Sequence, residues 1–217
     1  MSNERTVSRP VGAVLHSAMF YDLTVWLALV GRAKRLRERL LRLSRLQTGE
    51  AALDVGCGTG ALAIMAKSLV GPAGRVYGID ASPEMIARAR SKAARAGADV
   101  QFEIAAAQSL PFPEANFDLV LSTLMLHHLG RNARGQLASQ IRRILKPGGR
   151  ALVVDFGTST RQKKGLLGHL HRGHGHVEQR EVIELFEQAG LAVQESGEVG
   201  IKRGLHFTLV TTPEFAR

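Results

Sequence analysis

Apolar positions along this chain follow two rhythms, and the changes from one to the other mark its elements. Short, nearly unbroken apolar runs bounded by turn residues predict buried strands at Ala51–Val55, Val76–Asp80, Val100–Ala105, Phe117–Ser122 and Arg150–Asp155. Between them, apolar residues recur every three or four positions and predict helices at Leu62–Leu69, Pro83–Ala96, Ala133–Leu145 and Glu178–Ala189. Gly97 and Gly190 stand where a left-handed residue closes a helix, and Pro147-Gly148-Gly149 is expected to terminate a third. Strands alternating with helices imply a parallel sheet covered on both faces. After Gly190 two further strands, near Leu191–Glu195 and His206–Thr212, follow with no helix between them. The chain has no internal repeat and no long linker.

The N-terminal region has a different pattern. Residues 1–10 are polar, end in Pro10 and are expected to form a disordered tail. Residues 11–46 are expected to form a helical cap on a domain spanning 47–217. Val11–Val30 is mostly apolar, but His16, Asp22 and Thr24 interrupt it. A central Asp costs about 2.5–3.5 kcal/mol to insert, which argues against a membrane span. From Gly31 to Leu46 the cations Arg32, Lys34, Arg35, Arg37, Arg39, Arg42 and Arg45 face only Glu38, while Leu36, Leu40, Leu41 and Leu43 recur at helical spacing. Such a helix either caps the core with a solvated outer face or lies on an anionic lipid surface.

Candidate chemistry begins at the stretch Ala51–Ala63. There the strand-like run through Asp54 meets Gly56, Gly58 and Gly60 and passes into a helix. Glycine lets backbone N–H groups approach a ligand closely, because no Cβ stands in the way. Gly56-x-Gly58-x-x-Ala61 alone also satisfies a dinucleotide fingerprint. Its neighbours separate the two readings. A second strand ends in Asp80, placed to accept both hydroxyls of a ribose, and Ser82-Pro83-Glu84-Met85, Leu110-Pro111-Phe112, Phe117-Asp118-Leu119-Val120 and Leu145-Lys146-Pro147-Gly148-Gly149 follow in order.

This ordered set resembles the class I S-adenosylmethionine-dependent methyltransferases over about residues 45–157. Its "LPF", "HH" and "LKPGG" elements are most similar to the ubiquinone/menaquinone-biosynthesis-type small-molecule enzymes. The resemblance implies a Rossmann-like α/β fold: a seven-stranded, mostly parallel sheet with helices on both faces, an antiparallel C-terminal strand pair and an N-terminal helical lid. It implies S-adenosyl-L-methionine as cofactor. Asp54 would help hold the amino end, and Gly56, Cys57, Gly58 and Gly60 would form the turn beneath the methionine portion. Asp80 and Ala81 would lie at the ribose, Met85 on the adenine face, and Ser122 at the end of the fourth strand near the reactive sulfonium. Many relatives place an Asp before the "LPF" run where this chain has Ala106, so adenine recognition falls to backbone near Ala107 and to the Gln108 amide.

For catalysis, His127 or His128 could serve as general base toward a phenol or an acidic C–H. Each has an alternative as a packed core residue or a backbone ligand at a helix start. Tyr21 and Asp22 match a Tyr-Asp pair common near the start of the quinone-type enzymes, and the Tyr21 ring could face the sulfonium charge. No Asn-Pro-Pro-Tyr-type run follows the fourth strand, which argues against methylation of adenine or glutamine amines. Cys57 lies inside the cofactor turn and leaves no second cysteine for cytosine chemistry. His169, His171, His174 and His176 form a glycine-interrupted, basic loop with no carboxylate before Glu178; no metal site is expected there.

The 217 residues, 45% hydrophobic and 22% charged, suffice for one well-buried domain. A net charge of +10 points to an anionic partner, although arginines outnumber lysines and could scatter that charge without function. An aromatic content of 5% offers little platform for stacking nucleic-acid bases, so a nucleic-acid partner is not expected. No secretory signal is visible and a lone cysteine excludes a disulfide framework, so a cytoplasmic location is expected, with peripheral contact to the inner face of an anionic membrane. The expected activity is methyl transfer to a small lipophilic acceptor such as a quinone precursor. Phospholipid amine N-methylation, RNA methylation and a non-catalytic cofactor-binding role are the alternatives, and the oligomeric state is left open.

Overall fold

The computed structural model describes residues 32–157, 177–201 and 204–213. The expectations for the 1–10 tail, for residues 11–31 with Tyr21 and Asp22, and for the histidines between 169 and 176 lie outside the described residues.

In chain order the elements are α1 (Ala33–Leu43), β1 (Ala51–Val55), α2 (Ala61–Val70), β2 (Arg75–Asp80), α3 (Pro83–Ala96), β3 (Gln101–Ile104) and β4 (Phe117–Thr123). A 3₁₀ turn (Leu126–His128), α4 (Arg131–Ile144), β5 (Leu145–Phe156), α5 (Gln179–Gln188), β6 (Ala192–Glu198) and β7 (Leu205–Thr211) complete them. The strands form one sheet in the order β3-β2-β1-β4-β5-β7-β6. β1 to β5 run parallel, and β7 lies antiparallel between β5 and β6. The helix-free end of the chain therefore forms the antiparallel pair.

Each face of the sheet carries its own core. Leu36, Leu40, Leu62, Ala66, Ile86 and Phe102 pack with Leu121 and Leu152 on one face. Leu137, Ile141, Phe186 and Val182 pack with Val55, Val120 and Val153 on the other. Tyr77, Phe112 and Phe117 meet edge to face, with centroids 5.0–5.6 Å apart, and fix the "LPF" segment against the second core.

Local signals set most boundaries. The Ser82 hydroxyl accepts from the Met85 N–H at 3.3 Å, Pro83 occupies the first helical position, and Gly97 closes α3 at φ 60°. β5 departs from expectation. Its pairing begins at Leu145, opposite Phe117, and slips register before Arg150 meets Leu119. α4 accordingly stops at Ile144, and Pro147-Gly148-Gly149 lie within the strand's irregular start rather than at a helix end. Gly149 is needed there because a Cβ would fall 2.8 Å from the Lys146 carbonyl. Asp118 ties this bend to β1 by accepting from the Ala51 N–H at 2.8 Å and from Lys146 Nζ at 2.7 Å. Burial pushes the Asp118 carboxyl upward, but these partners outweigh it and hold it below its ordinary value.

The basic helix α1 turns Leu36, Leu40, Leu41 and Leu43 into the protein. Eleven residues are too few for a helix to persist alone, so this packing holds it in place. Its last carbonyls are satisfied from across the sheet. Arg150 Nε donates to Ser44 O at 2.7 Å and Nη2 to Arg45 O at 2.6 Å, while Nη1 and Nη2 engage both Glu50 oxygens at 2.8 and 2.7 Å. Arg150→Ala should therefore lower the unfolding free energy by about 3 kcal/mol, since it strands Glu50 and two helix-end carbonyls. Urea denaturation measures this; a loss typical of an exposed ion pair would refute the bracing role.

Candidate active site

The glycine turn is bound to β2. Gly56 N and Cys57 N both donate to the Ile79 carbonyl at 2.9 Å, and Gly60 N to Cys57 O at 2.9 Å. Gly56, Gly58 and Gly60 have φ of 72°, 52° and 74°, values that a side chain would strain. Gly56 and Gly60 are also close approaches: a Cβ would lie 2.6 Å from Met125 Cγ and from Phe102 Cζ, respectively. A Cβ on Gly58 would meet nothing within 4 Å, so this residue faces open space.

Asp80 closes the turn from below. Its Oδ2 accepts from Gly58 N and its Oδ1 from Ser82 N, each at 2.9 Å, leaving lone pairs on both oxygens. Asp54 is buried to 1% exposure, and among the described residues neither carboxylate oxygen has a partner in full hydrogen-bonding geometry, the Ala63 N–H being its nearest backbone donor. Burial and the nearby Asp80 charge raise its pKa to about 7. Burial and the same two carboxylates push the Cys57 thiol up, which keeps it protonated and unreactive. Ser122 at the end of β4 is likewise buried, with its hydroxyl unpartnered.

These orphaned groups fit a ligand. S-Adenosylmethionine would bring an ammonium toward Asp54, a ribose diol toward the remaining lone pairs of Asp80, and a slim methionine arm over the glycine turn. Met85, Ala107 and Gln108 are half-buried and Ala81 exposed beside the ends of β2 and β3, and Ala105 N donates to Asp80 O at 3.1 Å. These residues would hold the nucleoside. A cavity of about 120 Å³ opens between α1 and the turn, lined by Leu36, Arg37, Gly58, Thr59, Leu124 and Leu205 among others. Among the described residues of that lining, Arg37 is the one that is charged.

Beyond β4 the chain turns sharply. Leu124 has φ 56°, and its N–H donates to Val154 O at 2.7 Å. Met125 then packs on Gly56, and the 3₁₀ turn falls at the end of β5. There His127 Nδ1 lies 2.7 Å from Asp155 Oδ1, and the His127 N–H donates to Asp155 Oδ2 at 3.0 Å. Phe156 N also donates to Oδ1 at 2.7 Å. A carboxylate only accepts, so the shared proton sits on Nδ1, and in the neutral ring the Nε2 lone pair is then the basic site. Arg134, 8% exposed, braces the turn by donating Nε to Leu126 O at 3.0 Å and Nη1 to Glu181 at 2.9 Å.

Of the two histidines open to the base role, His127 is the one that pairs with Asp155. His128 is exposed, with its ring 4.0 Å from that of His127. Asp155 and Arg134 were not anticipated from sequence. The available signal was an acid at the carboxyl end of an otherwise apolar parallel strand, where ligands of open α/β sheets bind. Among the described residues no group of three or more histidine, cysteine or acidic side chains could hold a metal.

Residues 52–149 match the methyltransferase domain family. The chain is 39% identical over 124 residues to a 27-O-demethylrifamycin SV methyltransferase of Amycolatopsis mediterranei, covering 56% of this chain and 44% of that one. It is 36% identical over 154 residues to a demethylmenaquinone methyltransferase of Thermus thermophilus, covering 70% and 66%. Both alignments thus span less than two thirds of the curated relative. A crystal structure of a SAM-dependent methyltransferase from Aquifex aeolicus superposes with a TM-score of 0.68 at 24% identity, over 81% of this chain and 88% of that one, and shows the shared fold. The chain belongs to the class I S-adenosylmethionine-dependent methyltransferases, of the ubiquinone/menaquinone-biosynthesis type.

Asp54 gives the site a measurable pH signature. An acid whose folded pKa, about 7, exceeds its unfolded value, about 3.9, binds its proton more tightly when folded. Its contribution to stability falls as pH rises between those values, and the loss is complete above the folded pKa. Asp54→Asn should remove this decline and raise the unfolding free energy at pH 8, by at most about 4 kcal/mol. Denaturant titrations at pH 5 and pH 8 check it; the same slope in both proteins would refute the assignment.

Proposed function

We propose that this chain transfers the methyl group of S-adenosylmethionine to an acidic oxygen or carbon of a small lipophilic acceptor, with His127 as general base. The observation that carries this reading is the His127–Asp155 pair at 2.7 Å, at the same sheet edge as the glycine turn. The cofactor, when bound, supplies an electrophilic methyl on a positively charged sulfur. Asp155 holds the His127 ring and offsets the positive charge that forms on it. Nε2 takes the proton from the acceptor hydroxyl or activated C–H as the acceptor's electron pair forms the new bond to methyl. The bound cofactor would supply that methyl and keep the electron pair of its carbon–sulfur bond. Leu36, Leu124 and Leu205 line an apolar entrance that suits a lipophilic group and limits water. The two curated relatives described above are named for a rifamycin and for demethylmenaquinone, which favours oxygen-bearing ring acceptors. Phospholipid amine methylation is less favoured, because a neutral amine needs no base to attack. The roles given to Tyr21 and His128 rest on sequence alone.

His127→Ala and Asp155→Asn should each lower kcat by about 10²–10⁴-fold while leaving S-adenosylhomocysteine affinity unchanged. Added imidazole should restore part of the activity of His127→Ala. Near-normal turnover in both variants would defeat the base assignment.

Peripheral contact with an anionic membrane, from a cytoplasmic location, belongs to the same reading. Since the leucines of α1 face the core, the contact would be electrostatic, through the exposed Arg35, Arg39 and Arg42. Each cation near such a surface contributes about 1 kcal/mol, screened by salt. Co-sedimentation with liposomes should rise with phosphatidylglycerol content, fall with salt, and weaken when these three arginines become Gln. Indifference to liposomes of every composition would end the membrane proposal without touching the chemistry.

A further inference from the structure

The inward face of α1 carries a charge. Ala33, Leu36, Arg37 and Leu40 follow the three- and four-residue spacing of one helix face, and all four line the cavity beside the glycine turn. Of the cations between Arg32 and Arg45, Arg37 is the one in that lining, whereas Arg32, Lys34, Arg35 and Arg42 are exposed. Arg37 is half-buried, and its Nε is shut off from solvent. A guanidinium carries five donors in a planar fork. It can grip a carboxylate through two of them and keep its other contacts.

The far side of the turn is acidic. Asp54 near the end of β1 and Asp80 at the end of β2 put two carboxyl groups beneath it. An amino-acid end carries an ammonium and a carboxylate on one carbon. Acids on one side and a guanidinium on the other match that pair, and repulsion from Asp54 and Asp80 drives the carboxylate toward α1. The main chain of the turn has little to offer it. Gly56 N and Cys57 N are committed to Ile79 O, Gly58 N to Asp80 and Gly60 N to Cys57 O.

Neighbouring basic groups are directed elsewhere. Lys92 approaches the turn from α3, where its Nζ donates to the Thr59 hydroxyl at 2.6 Å, and it is not part of the cavity lining. On β7, Leu205 lines the cavity, while His206 projects to the opposite face of the sheet. Its ring rests against the bare backbone of Gly157, with both nitrogens shut off from solvent.

We propose that Arg37 binds the carboxylate at the methionine end of the cofactor, so that α1 is clamped by the ligand and the site rejects analogues without that carboxylate. The proposal does not involve His127 and stands whether or not that residue is the base.

The test is calorimetric titration with S-adenosylhomocysteine and with its decarboxylated analogue, which keeps the nucleoside and sulfur and ends in a bare aminopropyl group. The wild type should bind S-adenosylhomocysteine about ten- to a hundredfold more tightly, the ratio expected for a charged hydrogen-bonded contact. Arg37→Gln should abolish this preference by weakening S-adenosylhomocysteine alone, and its unchanged affinity for the analogue shows that it is folded. Arg37→Lys, which keeps the charge without the fork, should retain part of the preference. Lys92→Gln should retain all of it. Hydrogen exchange reads the helix itself. In the wild type, saturating S-adenosylhomocysteine should slow exchange across Leu36–Leu43 more than the saturating analogue does. Equal affinity of the wild type for the two ligands, or equal protection of α1 by them, overturns the proposal. So does a preference that survives Arg37→Gln, equal weakening of both ligands in that variant, or loss of the preference in Lys92→Gln.

Discussion

The site depends on a lack of side-chain volume at the glycine turn. Gly56 admits Met125, and Gly60 and Gly78 on β2 both admit Phe102, each at a distance no Cβ would tolerate. The turn is thereby wedged between the loop after β4 and the inner side of β3. A larger residue at Gly56 would displace Met125 and with it the 3₁₀ turn that carries His127. Cofactor cradle and catalytic loop are thus one packed unit, with their relative position set by contact rather than by the chain between them.

The large positive charge takes on a different meaning in the folded chain. Arg90 donates to Phe102 O, Arg134 to Leu126 O, Arg143 to Phe112 O and Leu110 O, and Arg150 to Ser44 O and Arg45 O. Each of these carbonyls lies beside a helix end, in a loop or turn, or on the edge strand β3, where backbone partners run short. A planar guanidinium with several donors suits such places better than an ammonium does. Part of the basic excess therefore fastens loops instead of attracting partners. On the outer face of α1, Arg32, Lys34, Arg35 and Arg42 remain exposed.

Sequence pattern was most informative where structure is decided locally. Pro83–Ala96 was bounded correctly at both ends because its cap, its leading proline and its closing glycine are neighbours in the chain. The glycine turn was legible for the same reason, since three positive-φ residues in five demand glycine whatever lies around them. The start of β5 was misplaced because it depends on Phe117, nearly thirty residues earlier. Asp155 was hidden because its partner is equally remote, and an acid after an apolar run looks like an ordinary strand end. Whether the leucines of α1 faced protein or lipid could not be read from periodicity, which describes an apolar face without naming what covers it.

The bare backbone at Gly157 has a consequence for how such chains diverge. The ring of His206 occupies the space that any side chain at 157 would need, so neither position is free to change by itself. A lineage acquiring a side chain at 157 would have to shrink or shift residue 206 in the same step or soon after. A lineage that lost the imidazole would release 157 to drift. The two sites, about fifty residues apart in the gene, should therefore carry correlated histories.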